Sequence, residues 1–288
     1  MQIKVIITAL LVLNIVTYVY NYNYITTQYL ILNKSRKKIK LLNNVINKIE
    51  IDRSHENLLE INNGLLKILS KKIITISPGG ANGFYDLGTC YYIKSKYNLN
   101  DYIFSGASAG SWNSLFLCFN KDIDEFVKIV LSDKIKSSRS LKEVQQILKN
   151  ELLSKYTEKD FDLENLFIGV TVVENFFAKS YIFTDFSSLE DAIDCCIASS
   201  NIPFLTGNLI IKYHNCLVYD GGFTRNPYLA LTKEIIHITK SMWGEPYNSF
   251  TLLHKININE FFEKGYNDTK KNSKILDKIF NNNIDYQI

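Results

Sequence analysis

The sequence predicts an α/β fold: a mainly parallel central sheet flanked by helices, a three-layer α/β/α sandwich, behind an N-terminal apolar helix. Three observations carry that expectation. Short apolar runs alternate with helical patterns from residue 72 onward. Two glycine-rich turns, 77–83 and 106–110, each sit between a strand-like run and a helix-like one. No repeat and no Pro/Gly-rich linker divides 70–288. The length of 288 residues suits one substantial core or at most two small domains. Hydrophobic residues are 46% and charged residues 22%, which argues against disorder, collagen or coiled coil for the bulk.

The first element is apolar and uncharged. Val5 to Tyr20 reads VIITALLVLNIVTYVY. A membrane span needs about 20 residues, and Asn21 to Ile25 extends this run at the interfacial level. Tyr18, Tyr20, Tyr22 and Tyr24 suit an aromatic belt. No small-x-small cleavage site follows, so an uncleaved transmembrane anchor over 1–32 is expected rather than a signal peptide. Five basic residues lie within Asn33–Lys40, which by the positive-inside rule places the bulk of the chain in the cytosol. The formal net charge of +4 has the same origin. Residues 1–40 hold six basic residues and no acid, and the remaining chain holds 27 basic against 29 acidic. No basic stripe with interleaved aromatics follows residue 40, which argues against a nucleic-acid partner.

The domain boundaries follow. Residues 33–71 form a basic flank and helical spacer, and 72–288 form the folded domain. Within it, 73–76 reads as a buried strand and 84–97 as a helix. A strand over 102–104 leads through a small-residue turn into an apolar helix ending near Phe119. Residues 122–132 and 140–156 read as amphipathic helices. Strands are expected over 166–173 and 176–183, a helix over 189–199, and a strand pair over 209–219. Helices are expected over 228–240 and 257–280.

Three short motifs carry the chemistry. Gly106-Ala107-Ser108-Ala109-Gly110 is a G-x-S-x-G between a strand and a helix. Small neighbours let the chain turn sharply there, which exposes a serine hydroxyl beside a helix N-terminus. Ser77-Pro78-Gly79-Gly80-Ala81-Asn82-Gly83 is a second strand-to-helix turn. Its glycines let backbone N–H groups converge on an anion, a phosphate or an oxyanion. It lacks G-x-G-x-x-G and GK[ST], so dinucleotide and P-loop readings fail. Asp220-Gly221-Gly222 ends an apolar run. It is either a plain turn or a carboxylate set close against another backbone. The five cysteines include no CxxC, and the four histidines include no HxxxH or HExxH. No metal and no cofactor is therefore expected.

Taken together these motifs resemble the patatin-like phospholipases, in which a glycine-rich loop, a G-x-S-x-G serine and a D-G-G aspartate occur in this order. Two further stretches are similar: Ala198 to Phe204 (ASSNIPF) and Asp220 to Pro227 (DGGFTRNP). The match spans about 72–235. Pro78 stands where the first loop glycine is usual, and Asn82 where an Arg or Lys is usual; the latter removes a positive charge near the site.

The resemblance implies a lipid acyl hydrolase with a Ser108–Asp220 dyad acting through an acyl-enzyme on fatty-acyl esters of membrane lipids. It assigns oxyanion donation to the Gly79 and Gly80 amides and a supporting role to Gly83, Gly106, Gly110, Gly221 and Gly222. Two alternatives stay open. One is an α/β-hydrolase triad in the order Ser108, Asp220, then His237 or His254. The other is a catalytically poor, membrane-tethered lipid or protein binder, suggested by the altered loop.

Overall fold

The central sheet is organised around one long strand. The computed structural model describes residues 71–174, 177–224, 227–229, 234–244 and 257–281. The expected anchor over 1–32 and nearly all of the spacer lie outside them. Among the described residues, no helix is long and apolar enough to cross a membrane.

Strand β1 (Lys72–Ile76) leads through the glycine loop into helix α1 (Gly83–Lys96), and β2 (Tyr102–Ala107) leads into α2 (Ala109–Cys118). Helices α3 (Ile123–Val130), α4 (Asp133–Lys136) and α5 (Leu141–Lys155) follow. Then come β3 (Leu166–Glu174), β4 (Phe177–Phe183), α6 (Leu189–Ser199), β5 (Ile211–Tyr213) and β6 (Cys216–Tyr219). Strand β7 (Glu234–Ile238) precedes α7 (Ile258–Lys271) and α8 (Ser273–Asn281). Helix starts coincide with capping side chains. Ser140 accepts from the Glu143 amide, Ser188 from Asp191 and Asn257 from Glu260.

Strands β7, β1, β2 and β3 are parallel neighbours, whereas β4 and β6 pair antiparallel with β3 and β5 with β6. The sheet is thus mixed, with a parallel half and an antiparallel half. Strand β4 runs along Ile168–Glu174 and so occupies one edge of β3. The other edge is shared, with β2 beside Leu166–Gly169 and β6 beside Thr171–Val173. Alternation along β3 sends Leu166, Ile168, Val170 and Val172 into the main core with Ile74, Ile76 and Phe104. Phe167 lies on the opposite face with Ile73 and Ile103.

One element corrects the sequence reading. A helix was expected over 228–240, and Glu234–Ile238 is instead strand β7, hydrogen-bonded parallel to β1. The run Ile235-Ile236-His237-Ile238 is short and β-branched, and periodicity cannot separate a buried strand from a buried helix at that length. The open edge of β1 decides the outcome.

Helices α1 and α7 touch through their backbones. A Cβ on Gly88 would lie 2.0 Å from the Phe262 carbonyl oxygen, and one on Gly265 would lie 2.0 Å from that of Tyr85. The Thr269 hydroxyl joins this seam, donating to the Gly265 carbonyl and accepting from Trp243 Nε1 at 2.9 Å. Alanine is favoured over glycine in a helix interior by about 1 kcal/mol. Here the clash is with backbone, which opposes that gain. Gly88→Ala and Gly265→Ala are therefore expected to lower stability, each by about 2 kcal/mol net. Urea unfolding measures this, and an unchanged or higher midpoint would contradict the contact.

Candidate active site

The G-x-S-x-G turn has the conformation its small residues permit. Ser108 sits at φ 53°, ψ −126°, between β2 and α2. A non-glycine residue held in a sparsely populated region costs of order 1–3 kcal/mol. Three hydrogen bonds hold it. The Ser108 amide donates to Ser199 Oγ at 2.8 Å. The Ser108 carbonyl accepts from the Ser111 hydroxyl at 2.6 Å and the Ser111 amide at 3.0 Å. The flanking glycines are required by close approach. A Cβ on Gly106 would lie 2.2 Å from the Gly110 oxygen, and one on Gly110 would lie 2.2 Å from the Ile76 oxygen.

Strand geometry brings the aspartate to this serine. Ala107 pairs with Gly169 and Tyr219 with Thr171, so β2 and β6 end facing each other along one edge of β3. Ser108 and Asp220 are the next residues of each strand. Ser108 Oγ donates to Asp220 Oδ2 at 2.7 Å, and the Gly222 amide donates to Asp220 Oδ1 at 2.7 Å. The Asp220 carbonyl accepts from Thr171 Oγ1 at 2.8 Å. Ser199 Oγ bridges the two halves, donating to the Gly169 carbonyl at 2.7 Å. Gly221 is pressed against β3, since a Cβ there would lie 2.1 Å from the Gly169 oxygen.

Both partners are buried, each 3% exposed. Burial pushes the Asp220 carboxyl up to about 6, opposed by the bonds from Ser108 and Gly222. The carboxyl is therefore mostly ionised at neutral pH yet weakly solvated.

The glycine loop lies alongside. Gly80 takes φ 53°, a left-handed conformation that suits glycine, and opens the short turn Gly80–Asn82. Among the described residues, neither the Gly79 nor the Gly80 amide donates to a protein acceptor. Asn82 is turned inward, its Nδ2 donating to the Gly79 carbonyl at 3.1 Å. The Pro78 ring lies against Gly222, whose Cβ position would be 2.8 Å from Pro78 Cβ. A Cβ on Gly83 would lie 2.6 Å from Ala109 Cβ, which sets the two helix starts side by side.

A pocket of about 100 Å³ opens beside Gly80 and Ser108. Its wall is mostly apolar, from Phe84 and Leu87 on α1, Trp112 on α2, Val130 on α3 and Val144 and Leu148 on α5. Ser200 at its border is fully engaged. It accepts from Trp112 Nε1 at 3.0 Å and Gln145 Nε2 at 2.8 Å, and donates to the Cys196 carbonyl at 2.6 Å.

His237 lies elsewhere in the network. Its Nε2 is 2.9 Å from Ser77 Oγ, and its ring meets the Tyr228 ring at 5.1 Å. His254, Arg225 and Asn226 lie outside the described residues. Among the described residues, no cluster of three or more His, Cys, Asp or Glu is arranged to hold a metal ion.

Sequence reasoning missed Asp86. This α1 residue is fully buried, and neither of its carboxyl oxygens finds a hydrogen-bond partner among the described residues. Its Oδ2 fills the space beside Gly79, 3.1 Å from where a Cβ would be. Burial pushes its carboxyl up to about 8, with Lys240 pulling it back. The one available signal was an acid inside the otherwise apolar start of α1, Phe84-Tyr85-Asp86-Leu87. Reasoning also missed Thr171 and Gly169, which act only through tertiary pairing.

Comparisons with known proteins bear on this arrangement. A family model described as patatin-like phospholipase matches residues 74–232. No curated protein matches the chain. Among solved structures, a crystal structure of VipD from Legionella pneumophila is similar, at 15% identity and a TM-score of 0.34. That likeness covers 53% of this chain and 46% of the other, so the chain spans less than half of that structure.

The Asp86 environment has a measurable consequence. Its folded value is raised above the unfolded one, so the folded state holds a proton that the unfolded chain releases. Stability is therefore lost as pH rises from about 4 through about 8, at about 1.4 kcal/mol per pH unit, and levels off above. Asp86→Asn is expected to match wild type near pH 4 and to melt higher at pH 9. Asp220 titrates in both proteins, so the difference isolates position 86. Parallel melting profiles would contradict a buried, protonated Asp86.

Proposed function

Because the chain belongs to the patatin-like phospholipase family, a family of lipid acyl hydrolases, we propose that it cleaves fatty-acyl esters with a Ser108–Asp220 dyad through an acyl-enzyme. The observation that carries this reading is the 2.7 Å bond from Ser108 Oγ to a buried Asp220 beside an apolar pocket.

The steps follow from that geometry. Ser108 Oγ attacks the ester carbonyl carbon while its proton passes to Asp220 Oδ2. Negative charge develops on the carbonyl oxygen, which the Gly79 and Gly80 amides receive; an oxyanion donor is worth roughly 3 kcal/mol of transition-state stabilisation. The tetrahedral intermediate collapses, the C–O bond to the alcohol breaks, and Asp220 returns the proton to the departing alkoxide. Water then attacks acyl-Ser108, gives its proton to Asp220, and releases the fatty acid as that proton returns to Ser108. The pocket receives the acyl chain, since its apolar wall begins at the nucleophile.

A carboxylate is an adequate base here because burial raises its affinity for the serine proton. The triad alternative lacks support: His237 is bonded to Ser77, and both Asp220 oxygens are already occupied by Ser108 and Gly222. The binder alternative rests on Pro78 and Asn82. Among the described residues the Gly79 and Gly80 amides have no protein acceptor, so the altered loop keeps two donors. The membrane tether over 1–32, with the domain on the cytosolic side, stays in the proposal on sequence grounds alone.

Fluorophosphonate labelling and hydrolysis of a fluorogenic ester test the dyad. Ser108→Ala is expected to abolish labelling, and Asp220→Asn to slow hydrolysis by about 10²–10⁴-fold. His237→Ala is expected to retain activity. The base must be ionised, so the wild-type rate rises with pH through about 6 and then levels. Full activity in Asp220→Asn, or loss in His237→Ala with the fold intact, would refute the dyad.

A further inference from the structure

The segment after α6 inverts the usual arrangement of polar and apolar side chains. Pro203 and Gly207 are bridged, closing a tight loop whose tip holds Phe204 and Leu205. Those two are 58% and 59% exposed, while Thr206 between them and the bridge is 4% exposed. Thr206 Oγ1 lies 3.2 Å from the Ile202 carbonyl and 3.3 Å from Asn201 Oδ1, and Asn201 Nδ2 donates to the Asn208 carbonyl at 3.2 Å. The polar groups therefore brace the loop from inside and hold the large apolar side chains out in solvent. Phe204 also sits at φ 66°, a left-handed conformation that a bulky residue adopts only when its surroundings impose it.

The loop is rigidly tied to the candidate active site. The Asp220 amide donates to the Asn201 carbonyl at 3.0 Å, and Ser200 and Ile202 line the pocket beside Ser108. The apolar tip is therefore continuous with the pocket border. Charge agrees with an apolar, anion-tolerant partner. Residues 195–219 contain no Asp or Glu. In the following hairpin, Lys212 stands directly across from Leu217, which is 53% exposed.

We propose that the 203–207 loop is an interfacial anchor: Phe204 and Leu205 insert into a lipid surface and set the pocket mouth against it. This deepens the hydrolase reading and rests on it for the substrate, but not for the insertion itself. Exposed apolar side chains on a braced loop gain from transfer into the acyl region of a bilayer, without a folding cost at the moment of binding. The acid-free segment 195–219 adds no repulsion of its own toward anionic headgroups.

The test uses the full chain carrying Phe204→Trp, with wild-type emission subtracted to remove Trp112 and Trp243. Vesicles of phosphatidylcholine and phosphatidylglycerol, with and without doxyl-labelled lipid, are added. Trp emission is expected to shift blue and to be quenched by the doxyl lipid. Leu205→Trp supplies a second probe if the first variant does not fold, and Ile275→Trp on α8 is the control, expected to stay unquenched. No quenching at 204 or 205, or equal quenching at 275, overturns the proposal, including when the N-terminal segment alone binds the vesicles. In parallel, Phe204→Ser/Leu205→Ser is expected to lower hydrolysis of vesicle phospholipid roughly tenfold while leaving fluorophosphonate labelling unchanged. If wild type does not label at all, the dyad reading fails while the quenching result still decides the insertion.

Discussion

The arrangement of the site depends on two strands that end facing each other along one edge of β3. Strand β2 arrives parallel and β6 antiparallel, and each stops where the other would collide with it. Only Val170 separates the rows paired to Ala107–Gly169 and to Thr171–Tyr219. The chain must leave the sheet at both ends, and the first residues out are Ser108 and Asp220. Their contact is therefore set by backbone ladders, which are stiff, rather than by long side chains. The glycines at 169 and 221 let the turn after β6 sit directly on β3, and Ser199 bonds both to Ser108 and to Gly169. Helix α6, which carries Ser199, is thereby part of the same frame.

That frame sustains costs that an isolated turn would not. Ser108 occupies a strained backbone region, Asp220 is desolvated, and Asp86 is desolvated without hydrogen-bond partners among the described residues. Each opposes folding. The compensation lies away from the serine, in the main core and in the glycine seam between α1 and α7. Close-packed backbone contacts give a rigid platform for the desolvated carboxyls of Asp86 and Asp220.

The two departures from the family pattern are accommodated locally. Pro78 has no N–H to offer, and its ring instead fills the space against Gly222. Asn82 replaces a cationic side chain and is buried, bonded to the Gly79 carbonyl. Its Oδ1 joins the Asp86 oxygens as buried groups without partners among the described residues. The loop therefore combines a missing positive charge with a carboxyl kept neutral by burial, a pairing that avoids an uncompensated buried anion beside Gly79.

Much of this protein was determined by the sequence alone. The order of glycine loop, G-x-S-x-G and D-G-G was legible because each motif needs local chemistry: small residues for sharp turns and a strand before each. Helices with clear caps and strands bounded by glycine fell where expected, and the strand pair over 209–219 appeared as β5 and β6. Tertiary structure decided the rest. Whether Ile235 to Ile238 forms helix or strand depended on the open edge of β1, which lies some 160 residues away in sequence. The outward tilt of Phe204 and the burial of Asp86 are likewise invisible to periodicity, since both break the local hydrophobic pattern. Above all, no spacing in the sequence states that Ser108 and Asp220, separated by 112 residues, stand 2.7 Å apart. That distance follows from strand register, and register is a property of the assembled sheet.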